Sequence, residues 1–451
     1  MKNYAIILAS GAGERSGLEI PKQFIKIAGK SVLEHTLKAF EDNSVIDDII
    51  VVTNSSHIDY VKDLVKKNGF KKIQKVIKGG ETRRESSCLG INAISDDNAK
   101  VLIHDAVRPF ISSKIINDCI EALDKYKAVD VAIKSADTII QVDWDGIIEN
   151  IPERNILRRG QTPQAFDLKT IKKAHELANK EDKVAVTDDC GLIIKYKLAD
   201  VYVVSGDDSN IKITYPIDIE IADKLFQLKT YTGTLRELSE LKNKKIVVFG
   251  GFSGIGKSIC QIAEKYGAKV YPYSRRNGVD VKDIESVKKA LDTVYKQENS
   301  IDYVINTTGV LVYGEINKRN FGDIEEEIGT NYLGCINIAK CSYEYLKKSQ
   351  GGLLFYSSSA YTRGRKDYAV YSSSKAAVVN FTQALAEEWE EYDINVNVIV
   401  PERTATPMRY QNFGEEPPET LLKPDYVAEI SLSTLLENIS GQVINIKKYS
   451  E

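Results

Sequence analysis

Residues 9–22 read Ala-Ser-Gly-Ala-Gly-Glu-Arg-Ser-Gly-Leu-Glu-Ile-Pro-Lys, and residues 250–256 read Gly-Gly-Phe-Ser-Gly-Ile-Gly. Each stretch follows a short apolar run, Tyr4–Leu8 before the first and Lys245-Ile-Val-Val-Phe before the second. A strand that enters a glycine-rich turn and then a helix lets backbone amides approach phosphates and offers them a helix start, where negative charge is favoured. The first loop is basic and suits a triphosphate, while the second suits a dinucleotide. Both on one chain predict a bifunctional enzyme in which one half makes what the other consumes.

Outward from the first loop, β-branched runs alternate with helical patterns through Val32–Phe40, Ile49–Thr53, Ile58–Lys67 and Val101–His104. That alternation predicts βα units on a mostly parallel sheet. From Val131 to Glu153 the sequence turns polar and β-rich around Asp143-Trp144-Asp145-Gly146, the pattern of a projecting antiparallel arm. Helical and strand patterns resume at Asp167–Asn179 and Asp200–Val204, and Pro216–Leu228 reads as a closing helix. The expected division is a first domain over 1–228, a polar linker over 229–243 and a second domain over 244–451, whose first helix, Gly256–Tyr266, sets Ile259, Ile262 and Ala263 on one face. The fold class is α/β, with two Rossmann-like doubly wound domains.

The 451 residues are 43% hydrophobic, enough for two or three cores, and the net charge of −3 gives no general reason to expect nucleic acid or membrane partners. Six scattered cysteines without a CxxC pair fit reduced thiols of a cytoplasmic protein rather than a disulfide frame or zinc site. The amino terminus has no signal-peptide pattern, and no apolar run reaches the ~18–20 residues of a membrane span.

Several separated motifs of the first half identify a resemblance: Pro21-Lys22-Gln23, Gly79-Gly80-Glu81-Thr82-Arg83-Arg84-Glu85-Ser86, His104-Asp105-Ala106-Val107-Arg108-Pro109, Asp137-Thr138, Thr162-Pro163-Gln164, Thr187-Asp188-Asp189 and Asn210-Ile211-Lys212-Ile213-Thr214. Residues 3–225 resemble the cytidylyltransferases that act on methylerythritol phosphate and ribitol phosphate. The resemblance implies that the loop Ala9, Ser10, Gly11, Ala12 and Gly13, with Gly80, Arg83 and Ser86, surrounds the cytidine and ribose of CTP. It implies that Arg15, Lys22 and Lys212 hold the triphosphate and the transition state, that Asp105 binds Mg²⁺, and that Arg108 supports the site. Thr138 and Arg154, on or near the arm, are implied to reach the acceptor phosphate in a neighbouring subunit, which makes the expected assembly a homodimer through residues 131–157. His104 is expected to be structural, because the acceptor phosphate is already an anionic nucleophile.

In the second half, Gly250-x3-Gly254-x-Gly256, with Ser253 and Ile255 between, is followed in order by Asp280, Asn306-Thr-Thr-Gly309, Asn331, Ser358 and Tyr371-Ser-Ser-Ser-Lys375. This set resembles the short-chain dehydrogenase/reductase family over roughly residues 244–447. Tyr371 and Lys375 lie four apart on one helix face, where the lysine charge is expected to lower the phenol pKa. Tyr371 would donate a proton to the alkoxide formed when hydride reaches a ketone, Ser358 would hydrogen-bond the same oxygen, and Asn331 would hold a water linking Lys375 to solvent. Ser357 and Ser359 are neighbours, but the family spacing selects Ser358. Arg275 and Arg276 stand where an acidic residue would mark NAD specificity, so NADPH is expected, with either arginine open as the 2′-phosphate ligand.

Phe249, Thr307-Thr308 and Pro401-Glu402 depart from the family pattern, and little sequence between Met408 and Gly441 predicts a reduced lid. Arg363 and Arg365 are candidates for a substrate phosphate, as are Arg403 and Arg409; a charged surface loop is the alternative. A cytidylyl acceptor must be a phosphorylated alcohol, and a reductase makes an alcohol from a ketone. The arrangement resembles the fused capsule-biosynthesis enzymes that convert ribulose 5-phosphate to CDP-ribitol. Methylerythritol phosphate cytidylylation beside an unrelated reductase is the second reading, and a non-catalytic nucleotide-binding scaffold the third.

Overall fold

Strand Lys2–Ala9 alternates its side chains between two apolar layers: Ala5, Ile7 and Ala9 face one cluster with Leu33, Leu37 and Phe40, and Tyr4, Ile6 and Leu8 face another with Ile91, Val101 and Phe166. A strand buried on both faces needs helices on both sides of its sheet, the doubly wound arrangement. The helix Val32–Glu41 shows how local sequence meets this demand. Ser31 and Glu34 form a reciprocal capping box, and Leu33, Leu37 and Phe40 recur at helical spacing and are fully buried, each contributing about 1.5–3 kcal/mol.

The computed structural model describes residues 1–11, 20–96, 98–181, 184–228 and 236–448. Two compact units form, Met1–Asp223 and Lys224–Glu451. In the first, the sheet runs Arg158–Gly160, Ala128–Lys134, Gln164–Asp167, Ala99–Asp105, Lys2–Ala9, Asp48–Thr53 and Ile73–Lys78, with Val201–Ser205 also paired to Ala128–Lys134. Lys2–Ala9 pairs in parallel with both Asp48–Thr53 and Ala99–Asp105, so the chain winds outward in both directions from it. The carboxyl ends at this reversal, Ala9 and Asp105, are where such sheets bind ligands. Gln164–Asp167 runs antiparallel inside the sheet, a strand absent from the sequence reading.

The projecting arm starts later than expected. Val131–Lys134 belong to a central strand, and the arm proper is the hairpin Gln141–Val142 against Ile148–Asn150, closed by Asp143, whose Oδ1 accepts from the amides of Asp145 and Ile147. Ile139, Ile140, Val142, Trp144, Ile147, Ile148, Ile151 and Ile156 are all exposed on it.

The second unit is a six-stranded, wholly parallel sheet ordered Lys269–Tyr273, Lys245–Phe249, Tyr303–Asn306, Gly352–Tyr356, Asn395–Pro401 and Val443–Ile446. Its winding reverses between Lys245–Phe249 and Tyr303–Asn306, which sets the second glycine loop at the crevice. The first helix spans Gly254–Lys265, two residues earlier than expected. Of the expected linker, residues 229–235 lie outside those described; in the remainder, Leu241 is fully buried beside Ile246 and Val248, and the Arg236 amide donates to Ser433 Oγ at 2.7 Å. Apolar Leu238 and Leu241 anchor this stretch to the second unit. Among the described residues, no helix is long and apolar enough to cross a membrane.

Candidate active sites

In the first unit, the described part of the glycine loop, Ala9, Ser10 and Gly11, is held by Gln23, whose Nε2 donates to the Ala9 and Gly11 carbonyls at 2.8 and 3.1 Å. Ala12, Gly13 and Arg15 lie outside the described residues. Ser10 and Ser86 hydroxyls meet at 2.8 Å, and the Gly80 amide donates to Ser86 Oγ at 3.1 Å, so two segments implied to surround the nucleoside are tied together. Gly79 permits this approach: a Cβ there would stand 2.6 Å from Ser10 Cβ.

Asp105 ends its strand within a ring of cations. Its Oδ1 lies 3.2 Å from Arg83 Nε and its Oδ2 2.8 Å from Lys212 Nζ. Burial alone would raise this carboxyl, but Arg83 and Lys212 outweigh it and hold the group well below the usual carboxylate range. Lys22 Nζ donates to the Thr214 carbonyl at 2.6 Å, and Arg108 Nη1 to the Asn210 carbonyl at 2.8 Å. His104 is fully buried, with Nδ1 2.9 Å from Thr162 Oγ1 and Nε2 3.1 Å from the Arg108 carbonyl; burial pushes it down to about 4, so the ring is neutral near pH 7. Thr138 is exposed at the base of the arm, and Arg154 Nη1 donates to the nearby Ala136 carbonyl at 3.3 Å.

The sequence reading gave Arg83 a ligand role alone. Its guanidinium also binds Asp189 at 2.7 Å, and Asp189 is buried against Ser87 and His175. Asp189 stood inside a quoted motif without a role; its acidity beside a helix start was the available signal. Among the described residues, no group of three or more His, Cys, Asp and Glu could hold a metal ion. Asp105 is a single ionised carboxylate between cations rather than one ligand of a preformed cage.

In the second unit a cavity of about 1060 Å³ opens at the winding reversal. Gly250, Ser253, Gly254, Ile255 and Gly256 line it, as do Arg275, Arg276, Asp280, Gly309, Ser358, Tyr371 and Lys375. Gly250 has φ 86°, and a Cβ on Gly256 would lie 2.3 Å from the Gly250 carbonyl oxygen, so both positions require glycine. Arg275 is paired with Glu326 at 2.9 Å, whereas the Arg276 side chain has no hydrogen bond or ion pair among the described residues.

Ser358 hydrogen-bonds Tyr371, while Ser357 Oγ donates to the Lys375 carbonyl at 2.8 Å and is buried, which removes it as an alternative. One expectation is corrected: burial pushes the Tyr371 phenol up to about 12, opposed by the Ser358 hydrogen bond, and Lys375, whose Nζ lies 5.7 Å from the Tyr371 ring centroid and donates to the Tyr356 carbonyl at 2.9 Å, does not bring it below the ordinary value. The Asn331 side chain is bonded to Val310: its Oδ1 accepts from the Val310 amide and its Nδ2 donates to the Val310 carbonyl, both at 2.8 Å. It splints the loop after Gly309.

Asn306 is likewise buried, accepting from Thr308 and donating to Cys335 Sγ, and shapes the loop from behind rather than lining the cavity. Of the substrate-phosphate candidates, Arg365, Arg403 and Arg409 line the cavity and Arg363 does not, because its exposed side chain lies outside the lining. Arg409 is held bidentately by Glu416. The lid is the short helix Pro407–Phe413, whose Phe413 stacks on Tyr368 at 6.0 Å. The sequence reading missed Glu327, fully buried and paired with Arg319 at 2.8 Å, which accepts from the Val312 amide.

Residues 4–228 match the 2-C-methyl-D-erythritol 4-phosphate cytidylyltransferase family, and residues 276–417 the short chain dehydrogenase family. Over 99% of this chain and 96% of the relative, the sequence is 45% identical to the bifunctional ribulose 5-phosphate reductase/CDP-ribitol pyrophosphorylase Bcs1 of Haemophilus influenzae. The 2-C-methyl-D-erythritol 4-phosphate cytidylyltransferase of Thermobifida fusca (strain YX) is 37% identical over 49% of this chain and 92% of its own length. Among solved structures, the 4-diphosphocytidyl-2C-methyl-D-erythritol synthase from Anaerococcus prevotii DSM 20548 is 38% identical and covers 50% of this chain and 96% of its own, with a TM-score of 0.46.

Proposed function

Because the chain belongs to the family of bifunctional ribulose 5-phosphate reductase/CDP-ribitol pyrophosphorylases, we propose that its second unit reduces D-ribulose 5-phosphate to D-ribitol 5-phosphate with NADPH and its first couples that product to CTP, releasing CDP-ribitol and pyrophosphate. The observation that carries this reading is the presence of both arrays on one chain, Lys22, Asp105 and Lys212 in the first unit and Ser358, Tyr371 and Lys375 in the second. A nucleotidyl donor for cell-surface or capsule polysaccharide, made in the cytoplasm, is the product such a pair would supply.

For the reduction, bound NADPH supplies the hydride. Tyr371 keeps its proton across the working pH range, because burial raises the phenol, and so can give it to the developing alkoxide while Ser358 donates to the same oxygen. Lys375, whose pKa burial lowers, is held against the Tyr356 carbonyl at the cavity wall. Arg276, unpaired beside the glycine loop, is the better 2′-phosphate ligand, since Arg275 would first have to leave Glu326. Arg365, whose Nη2 donates to the Ser359 carbonyl at 3.2 Å and which has no ion pair among the described residues, is the candidate cation at the substrate end.

For cytidylyl transfer, Lys22 and Lys212 would neutralise charge gathering at the α-phosphorus and the departing pyrophosphate. The single ionised carboxylate of Asp105 fits Mg²⁺, which commonly takes one or two carboxylates and fills its remaining positions with phosphates and water. When bound, the ion would supply further charge neutralisation. The exposed apolar arm supports a homodimer: a contiguous band of Ile and Trp in water marks an interface, and a second copy would bring Thr138 and Arg154 to its neighbour's acceptor phosphate.

Purified protein given ribulose 5-phosphate, NADPH, CTP and Mg²⁺ should form CDP-ribitol. Absence of any CDP-alditol refutes the proposal, and equal turnover of methylerythritol phosphate without NADPH would favour the isoprenoid reading.

A further inference from the structure

The helix Arg83–Asn92 carries, besides Arg83 and Ser86, a thiol that cytidylyl transfer leaves unused. Of the six cysteines, all free thiols, Cys119, Cys190, Cys260 and Cys335 are buried, while Cys88 and Cys341 are partly accessible. Asn92 and Asn179 each direct a carboxamide N–H at Cys88 Sγ, at 3.5 and 3.7 Å. The His175 ring, on helix Leu168–Ala178, stands beside the same thiol and, with the Asn179 carboxamide, holds it below the ordinary thiol range against burial.

His175 is only 2% exposed, its Nε2 lies 3.0 Å from Asp189 Oδ1, and its Nδ1 is buried with no hydrogen-bond partner. Against burial, which alone would lower it, the hydrogen bond to Asp189 pushes His175 up to about 9. The imidazole–carboxylate pair is made, and the unpartnered, buried Nδ1 beside the sulfur is the atom left to receive the thiol's proton; the thiolate is the reactive form. Burial pushes Cys119, Cys190, Cys260, Cys335 and Cys341 the other way.

The carboxylate end of the array reaches the nucleotide site. Asp189 Oδ2 accepts from Arg83 Nη1 at 2.7 Å, and the same guanidinium holds Asp105. Ser86, two residues before Cys88 on this helix, carries the Gly80 and Ser10 hydrogen bonds.

We propose that Cys88 is a modification site for low-molecular-weight disulfides, and that its adduct slows cytidylyl transfer by shifting the helix that carries Ser86 and the Asp189–Arg83–Asp105 ion pairs. The thiolate sulfur attacks one sulfur of the disulfide; the new S–S bond forms as the old one breaks, and the departing thiolate takes its proton from solvent. One disulfide is consumed and one formed. The slowing of transfer rests on the cytidylyltransferase reading, whereas the reactivity does not.

The test uses the full-length protein with dithiobis(nitrobenzoate) and, separately, glutathione disulfide, followed by peptide mapping. Cys88 should react first, about tenfold faster than Cys341 near neutral pH, with a pH–rate midpoint below that of Cys341. The charged groups facing the thiol are His175, with Asp189 behind it, and Arg84 on its own helix. Pyrophosphate release should fall in step with labelling and return on reduction, while NADPH oxidation is unchanged. Cys88→Ser should keep basal pyrophosphate release and lose the inhibition. First reaction at another cysteine, or an ordinary thiol pH profile at Cys88, overturns the reactivity. Complete labelling with unchanged pyrophosphate release overturns the coupling. A protein inactive in cytidylyl transfer before treatment refutes the proposed function instead, and labelling still decides the reactivity.

Discussion

Replacing Gly256 with alanine tests the second glycine loop at its tightest point. The added Cβ would lie 2.3 Å from the Gly250 carbonyl oxygen and 2.5 Å from Thr307 Oγ1, so each must retreat by about 1 Å to reach ordinary contact. Neither is loose. The Gly250 amide donates to the Tyr273 carbonyl at 2.8 Å, and Thr307 is fixed to the Phe249 carbonyl through both its amide and its hydroxyl, at 2.9 and 3.0 Å. Overpacking of this kind costs about 1–3 kcal/mol. Since the strained groups form the cradle for the dinucleotide, that cost should appear as an NADPH KM raised about 5- to 150-fold. Pyrophosphate release from CTP and ribitol 5-phosphate should change by less than about twofold, because additivity holds for sites that share no partners. Following NADPH oxidation and pyrophosphate release on one preparation supplies both readouts. An unchanged NADPH KM would refute the assignment of this loop to the dinucleotide.

Asp130 offers a stability test: burial, assisted by the charge of Asp188, pushes its carboxyl up to about 6. A raised carboxyl binds its proton more tightly when folded, so its stability contribution is full at acid pH and declines as pH rises to about 6, by about 3 kcal/mol in all. Asp130→Asn keeps the acceptor for Gln164 Nε2 and cannot ionise. Its first unit should gain stability over the native chain near pH 8 and show no gain near pH 4 in denaturant unfolding; equal gains at both would refute the argument. Arg276→Ala should raise the NADPH KM about tenfold and leave that for NADH unchanged, and an equal rise for both cofactors would remove its 2′-phosphate role. Trp144→Ser with Ile148→Ser, both on the exposed arm, should yield monomers in sedimentation and reduce cytidylyl transfer while reduction persists; an intact dimer would exclude the arm as the interface.

The strands that carry the two sites were legible because both are buried on each face and read as unbroken apolar runs. The helix Val32–Glu41 was legible because its apolar spacing coincides with a capping box. Gln164–Asp167 was not: four residues of mixed character, paired antiparallel between Ala99–Asp105 and Ala128–Lys134, owe their conformation to the neighbours already in place. Site residues followed the same division. Motif spacing marked Asp105, Lys212, Ser358 and Tyr371, whereas Asp189, His175 and Cys88 come together from three helices, a contact that spacing along the chain does not encode. The bonding of the Asn331 side chain to Val310 and the high phenol pKa of Tyr371 depend on what surrounds each group in space.

Tyr371 and Asp105 answer opposite electrostatic demands with the same burial. A reductase acid must keep its proton until an alkoxide forms, so depriving Tyr371 of solvent serves the reduction, and Lys375, occupied by the Tyr356 carbonyl, does not undo it. A carboxylate beside a triphosphate must stay ionised, yet burial pushes it the wrong way. Arg83 and Lys212 reverse that push, and Arg83 in turn is fixed by Asp189. On the proposed reading, removing a cation would act twice in the first unit, weakening the hold on phosphate and raising the Asp105 carboxyl away from the ionised form that Mg²⁺ would need. In the second unit a gain of solvent at Tyr371 would return the phenol only towards its ordinary value of about 10, still protonated at neutral pH, so its proton depends on burial far less than the Asp105 charge depends on its cations.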